Sequence, residues 1–258
     1  MSQELVSVSQ VNAHLVKDYK AKTETWAKAL IAPGQDIVST KLAALSAAEA
    51  DAILMKLDML APMRQNSGIA AMLAEEADSI LTAVRMVKTE TKEAFRGILG
   101  SGAALDICWL RAKDVGGELT DQDGTGSKGA YADGAGGAVK TWMYSFTAGT
   151  SVDMFPSATM IEEAGIVFLG FIDVVEKPPV GAVQFTISGI PCPPQSLNFR
   201  LTEKFGSVGK LPFCRLEKPV IIGPEKLFQV AVNPDLTETG KCQPLALLIT
   251  AAEKMSMT

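Results

Sequence analysis

One histidine, His14, is all the imidazole that 258 residues contain. A Ser-His or Cys-His nucleophile pair would have to be built on it, and no GxSxG elbow exists to present a serine. Cysteine is nearly as sparse. Cys108, Cys192, Cys214 and Cys242 stand at least 22 positions apart, so they form neither a paired zinc-ligand motif nor a dense disulfide framework, and they read as buried free thiols.

Clustered positive charge is also missing. The net charge is -5, and residues 1–100 hold 11 Lys+Arg against 12 Asp+Glu, leaving 13 against 17 for the remainder. Without a basic arm there is no source for the phosphate neutralisation that dominates nucleic-acid affinity, so direct nucleic-acid binding is not expected. The opening residues show no basic stretch followed by an apolar run, which predicts no secretory signal. The longest uncharged stretch, 178–199, contains Pro178, Pro179, Pro191, Pro193 and Pro194, which argues against a membrane helix there.

Helix breakers are scarce in one part only. Of thirteen prolines, Pro33 and Pro62 alone precede Gly100, and three glycines precede it while nineteen lie at or after it. Proline and glycine disfavour helix interiors and supply turns, so the chain divides into a helical region, 1–100, and a strand-rich region, 101–258. In the first, Val8, Val11, Leu15, Tyr19, Trp26 and Leu30 recur mostly at three or four positions and predict a helix stopped by Pro33-Gly34. Ser46 and Glu49 form a capping box ahead of a second helix that runs to Pro62. A third helix is predicted from Asn66 or Ser67 to Leu99, about 50 Å long, with Gly100 as cap. That length suggests that its apolar stripe is covered either by the other helices or by another subunit. Met55, Met59, Met63, Met72 and Met86 read as packing residues.

After Gly100 the period becomes two. Leu105, Ile107 and Trp109 share a face, as do Trp142, Tyr144 and Phe146; Val183, Phe185 and Ile187; Leu197, Phe199 and Leu201; and Phe228, Val230 and Val232. Residues 165–175 and 245–249 are apolar on both faces, as expected of strands covered on each side. Proline- and glycine-rich turns separate eight or nine short strands. The fold class predicted is therefore α+β, an N-terminal helical region followed by an antiparallel β-sandwich of jelly-roll type. A Gly- and Asp-rich loop occupies residues 115–137.

That loop holds the candidate motifs. Gly124, Gly126 and Gly129 match GxGxxG, but the flanks supply neither the preceding strand nor the following helix that dinucleotide binding needs. Asp121, Asp123, Thr125 and Gly126 open like a calcium loop, yet the position of the closing bidentate glutamate is Ala132, with Asp133 beside it. Glu162 and Glu163 are adjacent at a predicted turn, where paired carboxylates rarely converge on a substrate. Metal-dependent cupin-like enzymes, which share the predicted architecture, draw on several imidazoles that this chain lacks. No catalytic, cofactor or metal residue is assigned, no cofactor is expected, and the chain does not read as an enzyme.

The pattern from Lys218 to Pro234, PVIIGPEKLFQVAVNP after the lysine, followed by Cys242-QPLALLIT-Thr250, resembles the closing strands of jelly-roll coat proteins of viruses and phages. The resemblance covers about 90 residues from Phe155 onward. It implies a self-assembling virion coat, capsid or shell subunit. Its partners would be copies of itself, and other virion or shell proteins, met through symmetric interfaces, in a virion or a cytoplasmic assembly. Many such coats carry an Arg-rich arm for the genome, which is absent here. The alternatives are a carbohydrate- or ligand-binding sandwich using Trp142 and Tyr144, or a hydrolase with carboxylates from distant positions.

Overall fold

A computed structural model describes residues 45–61, 67–90, 105–110, 142–160, 164–173, 178–197, 199 and 213–251. Its helices are α1 (Ala47–Leu60), α2 (Ser67–Glu75) and α3 (Ala77–Glu90). The capping box at the start of α1 forms as the sequence specifies. The Glu49 N–H donates to Ser46 Oγ at 3.2 Å and the Ser46 N–H to Glu49 Oε2 at 2.7 Å, so each side chain satisfies a backbone donor that the first turn leaves orphaned. Among the described residues no helix is long and apolar enough to cross a membrane.

The strands are β1 (Leu105–Trp109), β2 (Met143–Phe146), β3 (Val152–Thr159), β4 (Ala164–Asp173), β5 (Val180–Ile187), β6 (Ile190–Pro191), β7 (Gln195–Ser196), β8 (Phe213–Ile222), β9 (Leu227–Pro234) and β10 (Glu238–Ala251). All pair antiparallel. One sheet runs β1-β10-β4-β8, with β2 also on β10; the other runs β3-β9-β5-β6, with β7 also on β5. The two stack face to face as a β-sandwich. Phe168 of the first meets Phe185 of the second at 5.1 Å between ring centroids and Phe155 at 5.5 Å, edge on. Aromatic pairs of this geometry add about 1 kcal/mol each beyond the apolar area they bury.

A second core lies on the other side of the first sheet. Val167, Leu169, Ile172, Leu245, Leu247 and Ile249 pack there against Ile53, Leu57, Leu73, Ile80, Val84 and Val87 of the helices. The molecule therefore has three layers, helix, sheet, sheet. This is why β4 is buried at every position and why residues 165–172 and 245–249 are apolar on both faces.

A bulge sets the two faces of β4. Leu245 of β10 pairs with Gly170 and Ala246 with Phe168, so Leu169 is an extra residue on that strand. One extra residue inverts the alternation. Ile166 and Phe168 point into the sandwich, and beyond the bulge Phe171 does so again while Ile172 turns to the helices. Gly170 makes the bulge possible on the β8 side, because a Cβ there would run into the backbone carbonyl of Cys214 and lie 3.2 Å from Arg215 Cα.

Polar contacts fasten the helices to this sheet. Lys56 pairs with Asp106 at 2.7 Å, Trp109 Nε1 donates to the Leu60 carbonyl at 3.1 Å, and Lys88 bridges α3 to Glu49 of α1 at 2.7 Å. Arg215 on β8 divides its guanidinium between Glu75 and Glu76. Those two residues mark the point where the predicted third helix breaks. It is not one rod: α2 ends at Glu75 and α3 begins at Ala77. Over its described part, to Glu90, its apolar stripe is covered by β4, β8 and β10 of the same chain and by the other helices, while Phe95 and Ile98 lie outside the described residues.

Other sequence expectations change in detail. Ten strands are present among the described residues, two of them two residues long, where eight or nine were expected. Leu197 and Phe199 are buried, as their alternation implies, but neither lies in a strand. Met72 and Met86 pack in the helical core, whereas Met55 and Met59 are exposed. The first predicted helix lies outside the described residues.

Candidate functional site

Most of the motif candidates fall outside the described residues: His14, Asp121, Asp123, Thr125, Gly124, Gly126, Gly129, Ala132, Asp133, Glu162 and Glu163, with the whole 115–137 loop. The cysteines are within it. Cys192, Cys214 and Cys242 are buried, Cys108 is half-buried, and all four are free thiols. Trp142 and Tyr144 are interior too, at 4% and 6% exposure, with the Trp142 ring tilted against Phe155 at 5.6 Å between centroids. They are core residues and cannot offer a face to a sugar.

The interior does hold one polar cluster, which alternation alone could not reveal. Asp173 sits directly opposite Cys242 across the β4–β10 pair, and Cys214 lies on β8 at the same end of the sheet. Tyr144 reaches this end from β2, and its hydroxyl is buried without a hydrogen-bond partner. Burial pushes the Cys242 thiol well above its ordinary value, and the neighbouring Asp173 and Cys214 push it further. Burial, then the proximity of Cys242, raises the Tyr144 phenol as well. A thiol held protonated is neither a nucleophile nor a metal ligand. Among the described residues no three His, Cys, Asp or Glu side chains are placed to hold a metal ion.

This cluster has a measurable consequence. Unfolded, Cys242 and Tyr144 would titrate near their ordinary values of 9.0 and 10.0; folded, both keep their protons to higher pH. The unfolded chain therefore releases protons that the native one retains, and stability, fully present below pH about 9, falls as pH rises through that range. Urea midpoints should drop from pH 8 to pH 10.5, and the slope should flatten in Cys242→Ala combined with Tyr144→Phe. Midpoints flat in the parent protein would contradict the burial of these groups.

The two sheets differ in what they leave open. The first is covered by helices, while among the described residues no helix packs on the outer face of the second. Ala182, Gln184 and Thr186 of β5 and Gln229, Ala231 and Asn233 of β9 alternate with core residues and are half-buried. The nearest charge on β3, Asp153, accepts a hydrogen bond from Gln229 Nε2 at 2.9 Å. A face of short uncharged side chains has little to desolvate when covered, and depletion of charge is a mark of interface centres.

Three of the outer strands, by contrast, resist addition of another strand. Pro156 lies in β3, Pro191 in β6 and Pro219 in β8, each removing a donor from an outer strand. On β8 the backbone of Lys218 is already taken: its N–H donates to Gln195 Oε1 at 3.0 Å and its carbonyl accepts from Gln195 Nε2 at 3.1 Å. No protein-family model, curated protein or solved structure matches the chain.

Proposed function

We propose that this chain is a self-associating structural subunit with a jelly-roll sandwich, working as a coat or shell subunit of a virion and not as an enzyme. The observation that carries the reading is the strand order. The pairs β1 with β10, β3 with β9, β4 with β8 and β5 with β6 are nested, first with last and innermost with innermost. A single long antiparallel ribbon rolled on itself has this pairing. Rolling brings β10 beside β4 and β9 beside β5, which yields the two sheets β1-β10-β4-β8 and β3-β9-β5-β6. This pairing supports the double Greek key of a jelly roll, an architecture used by viral capsid domains as well as by lectins and cupins.

Within that class, what favours assembly is the distribution of surfaces. The described thiols are interior or half-buried, three of the outer strands carry prolines, and the outer face of the second sheet is nearly free of charge in a chain of net charge -5. Three eight-residue strands, β3, β5 and β9, about 4.8 Å apart and about 26 Å long, give this face roughly 400 Å² per copy. Two such faces bury about 800 Å², below the ~1,000 Å² of a specific interface, so a persistent shell would need contacts with several neighbours.

Negative-stain electron microscopy and light scattering of the purified protein test the reading. The expected result is closed or extended multi-subunit particles that weaken when Ala231 and Thr186 are both replaced by Lys. Monomers at high concentration across salt and pH would overturn it.

A further inference from the structure

Residues 188–196 border the second sheet as a ribbon that reads Ser-Gly-Ile-Pro-Cys-Pro-Pro-Gln-Ser, with Pro191, Pro193 and Pro194 close together and no charge. β6 and β7 pin its two ends to β5. Proline fixes its own φ and drives the residue before it into extended or polyproline II backbone, so Ile190, Cys192 and Pro193 are constrained along with the prolines. The ribbon is stiff before anything touches it.

Burial along it recurs at every third position. Cys192 is buried and Gln195 half-buried, whereas Ile190, Pro191, Pro193 and Pro194 are all exposed, Ile190 at 45%. Backbone of the polyproline II kind repeats every three residues, so one edge turned inward leaves two outward, one carrying Ile190 and Pro193, the other Pro191 and Pro194. The inward edge is fastened. The Cys192 N–H donates to the Phe185 carbonyl at 2.7 Å, its carbonyl accepts from Gln184 Nε2 at 3.3 Å, and the Gln195 amide holds the backbone of Lys218. A single proline would serve to refuse another strand at this edge; three of them beside an exposed isoleucine also make an apolar surface.

We propose that this ribbon is a docking site for a partner protein presenting a groove lined by aromatic side chains, with Pro191 and Pro194 as its paired anchors. Pro191-Cys-Pro-Pro194 has the PxxP spacing read by such grooves. The occupant is a different protein and not a second copy, because the exposed large apolar side chains among the described residues are Met55, Met59, Ile190 and Leu227, with no aromatic ring to build the groove. Pinned prolines lose little freedom on docking, which favours binding by a small surface.

Folded full-length protein, labelled and kept dilute, is titrated with a panel of purified SH3, WW and EVH1 domains, all of which carry aromatic grooves. The expected result is saturable micromolar binding to at least one of them, weakened at least about tenfold by Pro191→Ala with Pro194→Ala and, separately, by Ile190→Asp. Met59→Lys, which removes a more exposed apolar side chain from the helical layer, should leave binding unchanged. Urea midpoints show whether each variant folds, and Ile190→Asp, at an exposed position, decides the matter if the double proline variant does not. Absence of binding across the panel, binding that survives the folded variants, or an equal loss in Met59→Lys would overturn the proposal. Dilute protein binds in this way whether or not its copies assemble, so the outcome is independent of the coat reading.

Discussion

Replacing Gly170 by valine should cost about 4 kcal/mol, lowering the melting temperature on the order of 10 °C. The obstacle to its Cβ is the backbone of β8 at Cys214 and Arg215, which cannot rotate away as a side chain would. Either β8 moves off β4 or the bulge at Leu169 is lost. The second outcome would return Ile172 to the sandwich and expel Phe171 from it. Gly149→Ala is the informative comparison, since that glycine has φ 73° but nothing within 4 Å of the added atom, and should cost only about 1 kcal/mol. Urea denaturation of both variants checks the contrast. Equal losses would mean that backbone conformation, not the approach of β8, constrains position 170.

The second large effect is expected at Phe168, where alanine should cost about 3–5 kcal/mol. Phe168 is fully buried and touches rings from two strands of the opposite sheet, Phe155 on β3 and Phe185 on β5. Its removal leaves a cavity between sheets that are each braced by hydrogen bonds and cannot collapse inward. Phe168→Leu, which keeps most of the volume, should recover more than half of the loss. A loss below about 1 kcal/mol for alanine would show that the sheets close over the gap, contrary to the rigid packing expected of such a core.

The architecture was legible wherever burial imposes a period. Alternation located β1, β2, β5 and β9, and the doubly apolar runs located β4 and β10 as covered strands. The Ser46–Glu49 box marked α1 because capping is local chemistry. What escaped depends on distant partners. Nothing near Glu76 signals a break in the helix, and the guanidinium that holds Glu75 and Glu76 comes from Arg215, far along the chain. Leu197 and Phe199 alternate because they are buried, and burial without a neighbouring strand makes no strand. The open sheet face was missed for a related reason: uncharged short residues such as Thr186 and Ala231 carry no signal until the fold sets them side by side. The Asp173 cluster needed the register of β4 against β10.

The nesting of the strands also fixes when this molecule can fold. Ile107 of β1 pairs with Ile249 of β10, so the outermost pair joins residues at opposite ends of the sandwich sequence. During synthesis β4 must wait with one side unpaired until residue 251 has left the ribosome, because β10 is its neighbour. High contact order of this kind slows folding and prolongs the exposure of sticky intermediates. Where many chains are made at once, the late-arriving β10 of one nascent molecule could be captured by another, and a chaperone that shields β4 until translation ends would raise the yield of correctly closed subunits.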